Sequence, residues 1–349
     1  MSKEGRERLA QLNRQAQRRQ AQLVDSLLDA MEDGNEYGSI VSKTPRQETD
    51  LVGEARRALG EIEAIRGRPC LCYVANVIKP SADAAITGHD HLPFAEMVAK
   101  VEPGVREVDI LLVTPGGSAE QVIQFVDALR SRFDNVEFLL PYMAMSAGTL
   151  WALSGDRIWM DQRAYLGPID PQVVAKDGSY VPAQALLAVL NEIQQKGEEA
   201  LRKGQKPPWS YIVLLREMDQ RQLGAAMTSS KYVISLATKF LVSYKFRSWT
   251  THRSGQPVTE EQRQNRAAEV AVQLCSHELW KIHGHGISRD VAEKEVRLQI
   301  DRPESVPRLE RAMRRLWALL RYANDRAPIA KMLFSQKYAY VRADVKTQP

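Results

Sequence analysis

Val108-Asp109-Ile110-Leu111-Leu112-Val113-Thr114-Pro115-Gly116-Gly117-Ser118 is followed, about thirty residues on, by Met143-Ala144-Met145-Ser146-Ala147-Gly148-Thr149. Each small-residue turn follows an apolar strand-like run and opens a helix-like run. Val108 to Val113 reads as a buried strand. Ser118 then caps a helix reaching about Arg132, with Val122, Ile123, Val126 and Leu129 on one face. Val136 to Leu140 is the next strand, Ser146 opens a helix to about Ser154, and Arg157 to Met160 is a further strand. Short apolar strands alternating with helices imply parallel βαβ units, so the fold class is α/β.

Outward from this core the pattern changes on both sides. Cys70 to Ile78 reads as one more strand, with Cys70 and Cys72 on a single face. Ile86 to Val101 reads as mostly helix, interrupted near Pro93. Leu51 to Arg66 is a short helix, Gly34 to Thr49 a linker, and residues 5–33 a helix with a patchy leucine stripe. After Asp177 the runs Pro182–Leu201, Tyr211–Thr228, Ser229–Phe246 and Thr259–Leu279 are all helix-like. Ser229-Ser230 and Thr259 stand as N-caps, the latter with Gln262 at the capping-box position. Glu304 to Asn324 is an Arg-rich amphipathic helix. The expected organisation is a basic helical arm and linker (1–49), an α/β core with the nucleophile (50–175), a helical layer with the candidate base (176–300) and a basic helical extension (301–349).

The chain has 349 residues, 44% hydrophobic and 26% charged, the composition of an ordinary globular protein. It contains no apolar run of about 18 residues, and its Arg/Gln-rich start has no secretory h-region. Three cysteines do not make a disulfide framework and fit a reducing cytoplasm. The net charge of +5 is concentrated at the ends. Residues 1–20 and residues 308–326 each carry six cations against two acids. Those ends offer contacts to nucleic acid or an anionic membrane, against the simpler reading of solvated helix faces.

The two turns suit acyl-transfer chemistry. A serine hydroxyl needs a base to take its proton and donors aimed at the developing oxyanion. Ser146 stands at a helix start, where the Ala147 N–H is unpaired. Gly116 and Gly117 can turn backbone N–H groups into the same cavity. Met145-Ser146-Ala147-Gly148, with Ala144 for the first glycine, approximates a nucleophile elbow. The alternative is that these small residues serve packing alone, or that Gly-Gly cradles a phosphate. His89-Asp90-His91 is a tight H-x-H in a loop without a third ligand nearby, so no metal is expected. No phosphate-loop motif for ATP occurs, and no cofactor is expected.

Leu111 to Ser118, then Met145 to Thr149, then Leu166-Gly167-Pro168-Ile169-Asp170-Pro171-Gln172, together resemble the serine dehydrogenase proteinase family, a distant relative of the Clp protease and signal peptide peptidase A families. The likeness covers about 68–175 and resumes near Ala267–Ile287, where a helix leads into Trp280-Lys281-Ile282-His283. It implies a Clp-protease-like (crotonase-type) fold and peptide-bond hydrolysis by a ring-like homo-oligomer, with an ATPase or adaptor in trans as a compatible partner. It casts Ser146 as nucleophile, Gly117 and Ala147 as oxyanion donors, His283 as base and Asp170 as the orienting carboxylate. His285 competes with His283, and a serine–lysine dyad of the signal peptide peptidase kind would draw on Lys231 or Lys239.

The chain departs from the pattern in three places. Clp proteases carry their histidine near what is here Leu166–Pro171, yet this chain has none between His91 and His252. Gly284 replaces a frequent aspartate, and an Arg/Gln-rich helix stands where relatives have a membrane anchor. A non-peptidase, esterase-like hydrolase and an inactive oligomeric scaffold are the alternative readings.

Overall fold

A computed structural model describes residues 31, 34–43, 51–79, 81–175, 178–252 and 254–344. Apart from Met31, the helix expected over 5–33 lies outside the described residues, as do the basic residues 1–20.

The chain enters through α1 (Glu36–Lys43) and α2 (Leu51–Arg66), then β1 (Cys70–Ala75), α3 (His91–Ala99), β2 (Glu107–Val113) and α4 (Ala119–Arg130). β3 (Asn135–Leu140), β4 (Met143–Ala144), α5 (Ala147–Ala152), β5 (Arg157–Met160) and β6 (Tyr165–Leu166) follow. A hairpin of β7 (Gln172–Val174) and β8 (Tyr180–Pro182) leads to α6 (Ala183–Arg202), α7 (Trp209–Glu217) and α8 (Gln220–Phe240). Next come α9 (Glu260–Cys275), α10 (His277–Trp280), β9 (Ile287–Ser288) and α11 (Arg289–Lys294). The described chain closes with α12 (Leu309–Arg326), β10 (Ile329–Phe334) and β11 (Ala339–Ala343).

The main sheet has the order β11-β10-β1-β2-β3-β5. β1, β2, β3 and β5 are mutually parallel, as the strand–helix alternation predicts. β10 and β11 add antiparallel strands beside β1, with Cys72 opposite Phe334. Side chains of β1 alternate between two cores. Leu71 and Tyr73 join α3, α4 and α5, while Cys70, Cys72 and Val74 join α2 and α12. Both faces are therefore dry, which is why the strands read as continuous apolar runs.

Trp151 of α5 lies fully buried at the centre of the first core. Its ring centroid is 4.6 Å from Phe125, 5.3 Å from Phe94 and 5.4 Å from Tyr73. Truncating such a residue costs about 3–5 kcal/mol. This packing holds a short helix whose first turn follows Ser146.

Several elements differ from expectation. The linker over 34–49 contains α1, which packs on α12. Pro93 does not interrupt the helix over 86–101. It sits in the first turn of α3, where its missing N–H costs no intrahelical bond. Ser229-Ser230 caps nothing: α8 runs through it, and Ser229 Oγ donates to Ala225 O at 2.8 Å. The break lies at Asp219, which accepts from Arg221 N–H at 2.8 Å. The capping box at Thr259 and Gln262 forms as expected. Among the described residues of the extension over 301–349, a 3-10 turn (Pro303–Ser305) precedes α12, and the chain beyond α12 supplies the two antiparallel strands. Arg314 of α12 turns toward the buried Asp161 at 2.6 Å, while the exposed Arg308 just before the helix pairs with the half-buried Glu61 at 2.7 Å. No helix among the described residues is long and apolar enough to cross a membrane.

Candidate active site

The carboxyl ends of β2 and β3 carry the two turns, the position where open parallel sheets form crevices. Thr114 and Ala144 pair as a parallel bridge. Thr114 N–H donates to Met143 O at 2.9 Å, and Met145 N–H donates to Thr114 O at 3.0 Å. The two turns are thereby stitched together one residue before Ser146. Ser146 itself has φ 51° and ψ −116°, a conformation that a side-chain-bearing residue adopts at a cost of about 1–3 kcal/mol. The elbow is held from behind by Thr149 Oγ1, 2.7 Å from Ala144 O and accepting from Gly167 N–H at 2.9 Å.

The glycines are shaped by the same approach. Gly116 has φ +102°, and a Cβ there would lie 2.8 Å from Ser146 Cβ. Gly117 has φ +145°, and a Cβ would meet Ile86 O at 2.3 Å. Ile86 donates its N–H to Gly116 O at 2.7 Å and accepts from Ser118 N–H at 2.9 Å. In such a parallel bridge the intervening residue's own N–H points to the opposite side. Neither Gly117 N–H nor Ala147 N–H has a hydrogen-bond acceptor among the described residues. Both residues line one cavity of about 630 Å³ with Ser146 and His283.

His283 arrives from the far side of the sequence. Trp280 is buried and donates its Nε1–H to Gln273 O at 2.8 Å, which fixes the turn after α9. Ile169 N–H donates to Leu274 O at 2.9 Å and binds that helix end to the turn carrying Asp170. His283 Nδ1 lies 2.7 Å from Asp170 Oδ1, with Asp170 only 2% exposed. A carboxylate oxygen accepts, so Nδ1 carries the proton and Nε2 is left as an acceptor. Asp170 Oδ2 is buried without a hydrogen-bond partner. Cys275 stands beside it, its thiol pushed up to about 12 by burial and then by the Asp170 carboxylate. No hydrogen bond joins Ser146 Oγ to His283 among the described residues. In unliganded sites such a contact is often long and closes on binding.

All six residues singled out from sequence (Ser146, His283, Asp170, Gly116, Gly117 and Ala147) converge here, five on the cavity wall and Asp170 behind the imidazole. His285 packs at a tilt against Trp280, with centroids 5.4 Å apart, and is not among the residues lining the cavity. Lys231 and Lys239 are exposed on α8, whose Ser229, Tyr232 and Val233 face the cavity instead. His89 and His91 are exposed, while Asp90 between them is fully buried. The parts that sequence reasoning missed are Ile86, which docks against Gly117, and the α8 wall. Neither carries a local signal, because each acts through a backbone or apolar surface brought from elsewhere.

Residues 96–202 match the family described as ClpP-like SDH-type serine proteinase, so the resemblance expected from sequence is borne out over that segment. The segment contains Ser146, Gly116, Gly117, Ala147 and Asp170, and His283 lies outside it. Two uncharacterised proteins of Methanocaldococcus jannaschii are similar to this chain. One is 36% identical over 100 residues, 29% of this chain and 32% of its own length. The other is 34% identical over 102 residues, 29% of this chain and 34% of its own length. The chain thus spans about a third of the length of the curated relatives it matches.

Among solved structures, a serine-to-alanine mutant of the 1510-N membrane-bound stomatin-specific protease aligns with 14% identity and a TM-score of 0.35, covering 62% of this chain and 74% of that one. A lysine-to-alanine mutant of the same protease with a substrate peptide aligns at 23% identity and TM-score 0.25, covering 34% and 57%. A ClpP1 mutant from Listeria monocytogenes aligns at 12% identity and TM-score 0.26, covering 45% and 82%.

Proposed function

We propose that this protein is a serine peptidase that hydrolyses peptide bonds of protein or peptide substrates. The observation that carries the reading is the Asp170–His283 hydrogen bond at the wall of the cavity shared by Ser146 and two unpaired N–H groups. Ser146 Oγ attacks the scissile carbonyl as His283 Nε2 takes its proton. The carbonyl oxygen becomes an oxyanion and accepts from Gly117 N–H and Ala147 N–H. His283 then gives the proton to the leaving amine, and the acyl group remains on Ser146. Water, deprotonated by the same imidazole, releases the acid. Asp170 holds the ring in the required tautomer and stabilises the imidazolium.

We further propose that the active form is an oligomer. α7 has no buried residue, and its Trp209, Ile212, Val213, Leu214 and Leu215 are exposed, an apolar surface that self-association would cover. Sedimentation of wild type against Leu214→Glu tests this, and a monomeric wild type with full activity contradicts it.

The test of the activity is labelling by a fluorophosphonate probe, together with cleavage of an unfolded protein. Wild type labels and cleaves, and Ser146→Ala does neither. Turnover of activated esters without any peptide cleavage would replace this reading with the esterase-like one. A wild type inert to probe and substrate alike would favour a scaffold.

A further inference from the structure

A charged pair lies buried beside the segment that bridges Gly117. Lys331 of β10 and Asp90 both have side chains with 0% exposure. Lys331 stands two residues before Leu333 in β10, so the two share a face and point to the core of α3, α4 and α5. Its Nζ donates to Asp90 Oδ1 at 2.9 Å, to Asp90 Oδ2 at 2.8 Å and to Ala85 O. Asp90 also accepts from Tyr73 OH at 3.0 Å and from Thr87 N–H at 2.9 Å. Every donor of the ammonium is used, and both carboxylate oxygens are occupied. Burying two charges costs several kcal/mol per ion before pairing, and an apolar pair of similar volume is often as stable. Stability alone therefore gives little reason for an ion pair here.

The contacts reveal what the pair holds. Lys331 grips the carbonyl of residue 85, and Asp90 grips the N–H of residue 87. Ile86 between them is the residue that brackets Gly117, through Gly116 O and Ser118 N–H. Resting on the proposed peptidase reading, we propose that Lys331 and Asp90 are positioning residues of the oxyanion hole. By clamping Ala85 and Thr87 they set Ile86, and Ile86 aims the Gly117 N–H into the cavity. Neither side chain lines that cavity, so they act only through the backbone.

The test compares Lys331→Met/Asp90→Asn, which leaves no lone buried charge, with Leu316→Ala, a cavity in the opposite core. Three readouts are taken: kcat and KM for a peptide, the rate of Ser146 phosphonylation, and hydrogen exchange of the Ser118 amide. The double variant loses roughly 10²-fold in kcat and in labelling rate, the scale of one lost oxyanion donor. Its KM stays within about threefold, and its Ser118 amide loses protection. Leu316→Ala lowers the melting temperature with kcat and Ser118 exchange unchanged. Should the double variant not fold, Lys331→Arg, which keeps a cation opposite Asp90 but changes the grip on Ala85 O, gives the same readouts, with about a tenfold kcat loss expected. A folded variant with wild-type kcat and wild-type Ser118 protection overturns the proposal, as does an equal kcat loss in Leu316→Ala at matched melting temperature. If wild-type Ser146 never labels, the peptidase reading fails separately, and Ser118 exchange still decides whether the pair sets this segment.

Discussion

The two halves of the proposed site are built in opposite ways. The nucleophile half, Gly116 to Ser118 and Met143 to Thr149, is local, closely packed and over-determined by backbone bonds. The base half, Trp280 to His283, is a turn from a distant segment, held by one buried indole and one carboxylate. The first half can sustain a strained serine because its surroundings leave no alternative. The second holds its imidazole by Nδ1 and leaves the ring at the cavity wall, the placement that the proposed base requires.

The base half can be broken most severely. His283→Ala should lower kcat by on the order of 10⁶, as loss of the base does in serine proteases, with little change in melting temperature. Asp170→Asn should cost roughly 10⁴ by allowing the wrong tautomer, again read from kcat at unchanged fold. Equal, small losses in both variants would place the base elsewhere. The nucleophile half should respond differently. Gly117→Ala drives a Cβ into the Ile86 backbone, so rate and stability should fall together, the rate by roughly 10²–10³. A fully active, fully stable Gly117→Ala would contradict the account of that segment.

Smaller effects sharpen the contrast. Lys245 lies in a π turn, Leu241–Lys245, outside both halves. Burial pushes its ammonium down to about 8, against an opposing pull from Asp301. Below pH 8 the fold carries that charge at a cost. Between about 8 and the ordinary 10.5 the folded lysine is neutral while the unfolded one is still charged, so wild-type stability rises with pH in that window. Lys245→Met should therefore gain up to about 3 kcal/mol at pH 7. The gain should shrink toward pH 10 in urea melts, with activity unchanged. Smallest is Trp280→Phe, which removes the bond to Gln273 O. It should cost about 1 kcal/mol and less than about tenfold in kcat.

The sequence made the local half legible and left the distant half to resemblance. Glycine pairs, a serine cap and an apolar strand are signals within ten residues, so the parallel core and Ser146 could be read directly. β10 was not readable as part of that core, because its pairing partner Cys72 is far away in sequence from Phe334. His283 could be reached only through the family pattern, since nothing near it announces Asp170. Asp90 drew notice for its flanking histidines, although the buried carboxylate between them is the group that the fold uses. Ser229 misled because serine favours caps, yet within a helix its hydroxyl bonds back to the preceding turn.

The most direct measurement is a structure of the fluorophosphonate adduct. The phosphorus should be on Ser146 Oγ, with the phosphoryl oxygen within about 3 Å of both Gly117 N and Ala147 N, and His283 Nε2 facing the leaving-group side. An adduct on another residue, or a phosphoryl oxygen turned to solvent away from Gly117, would contradict the account.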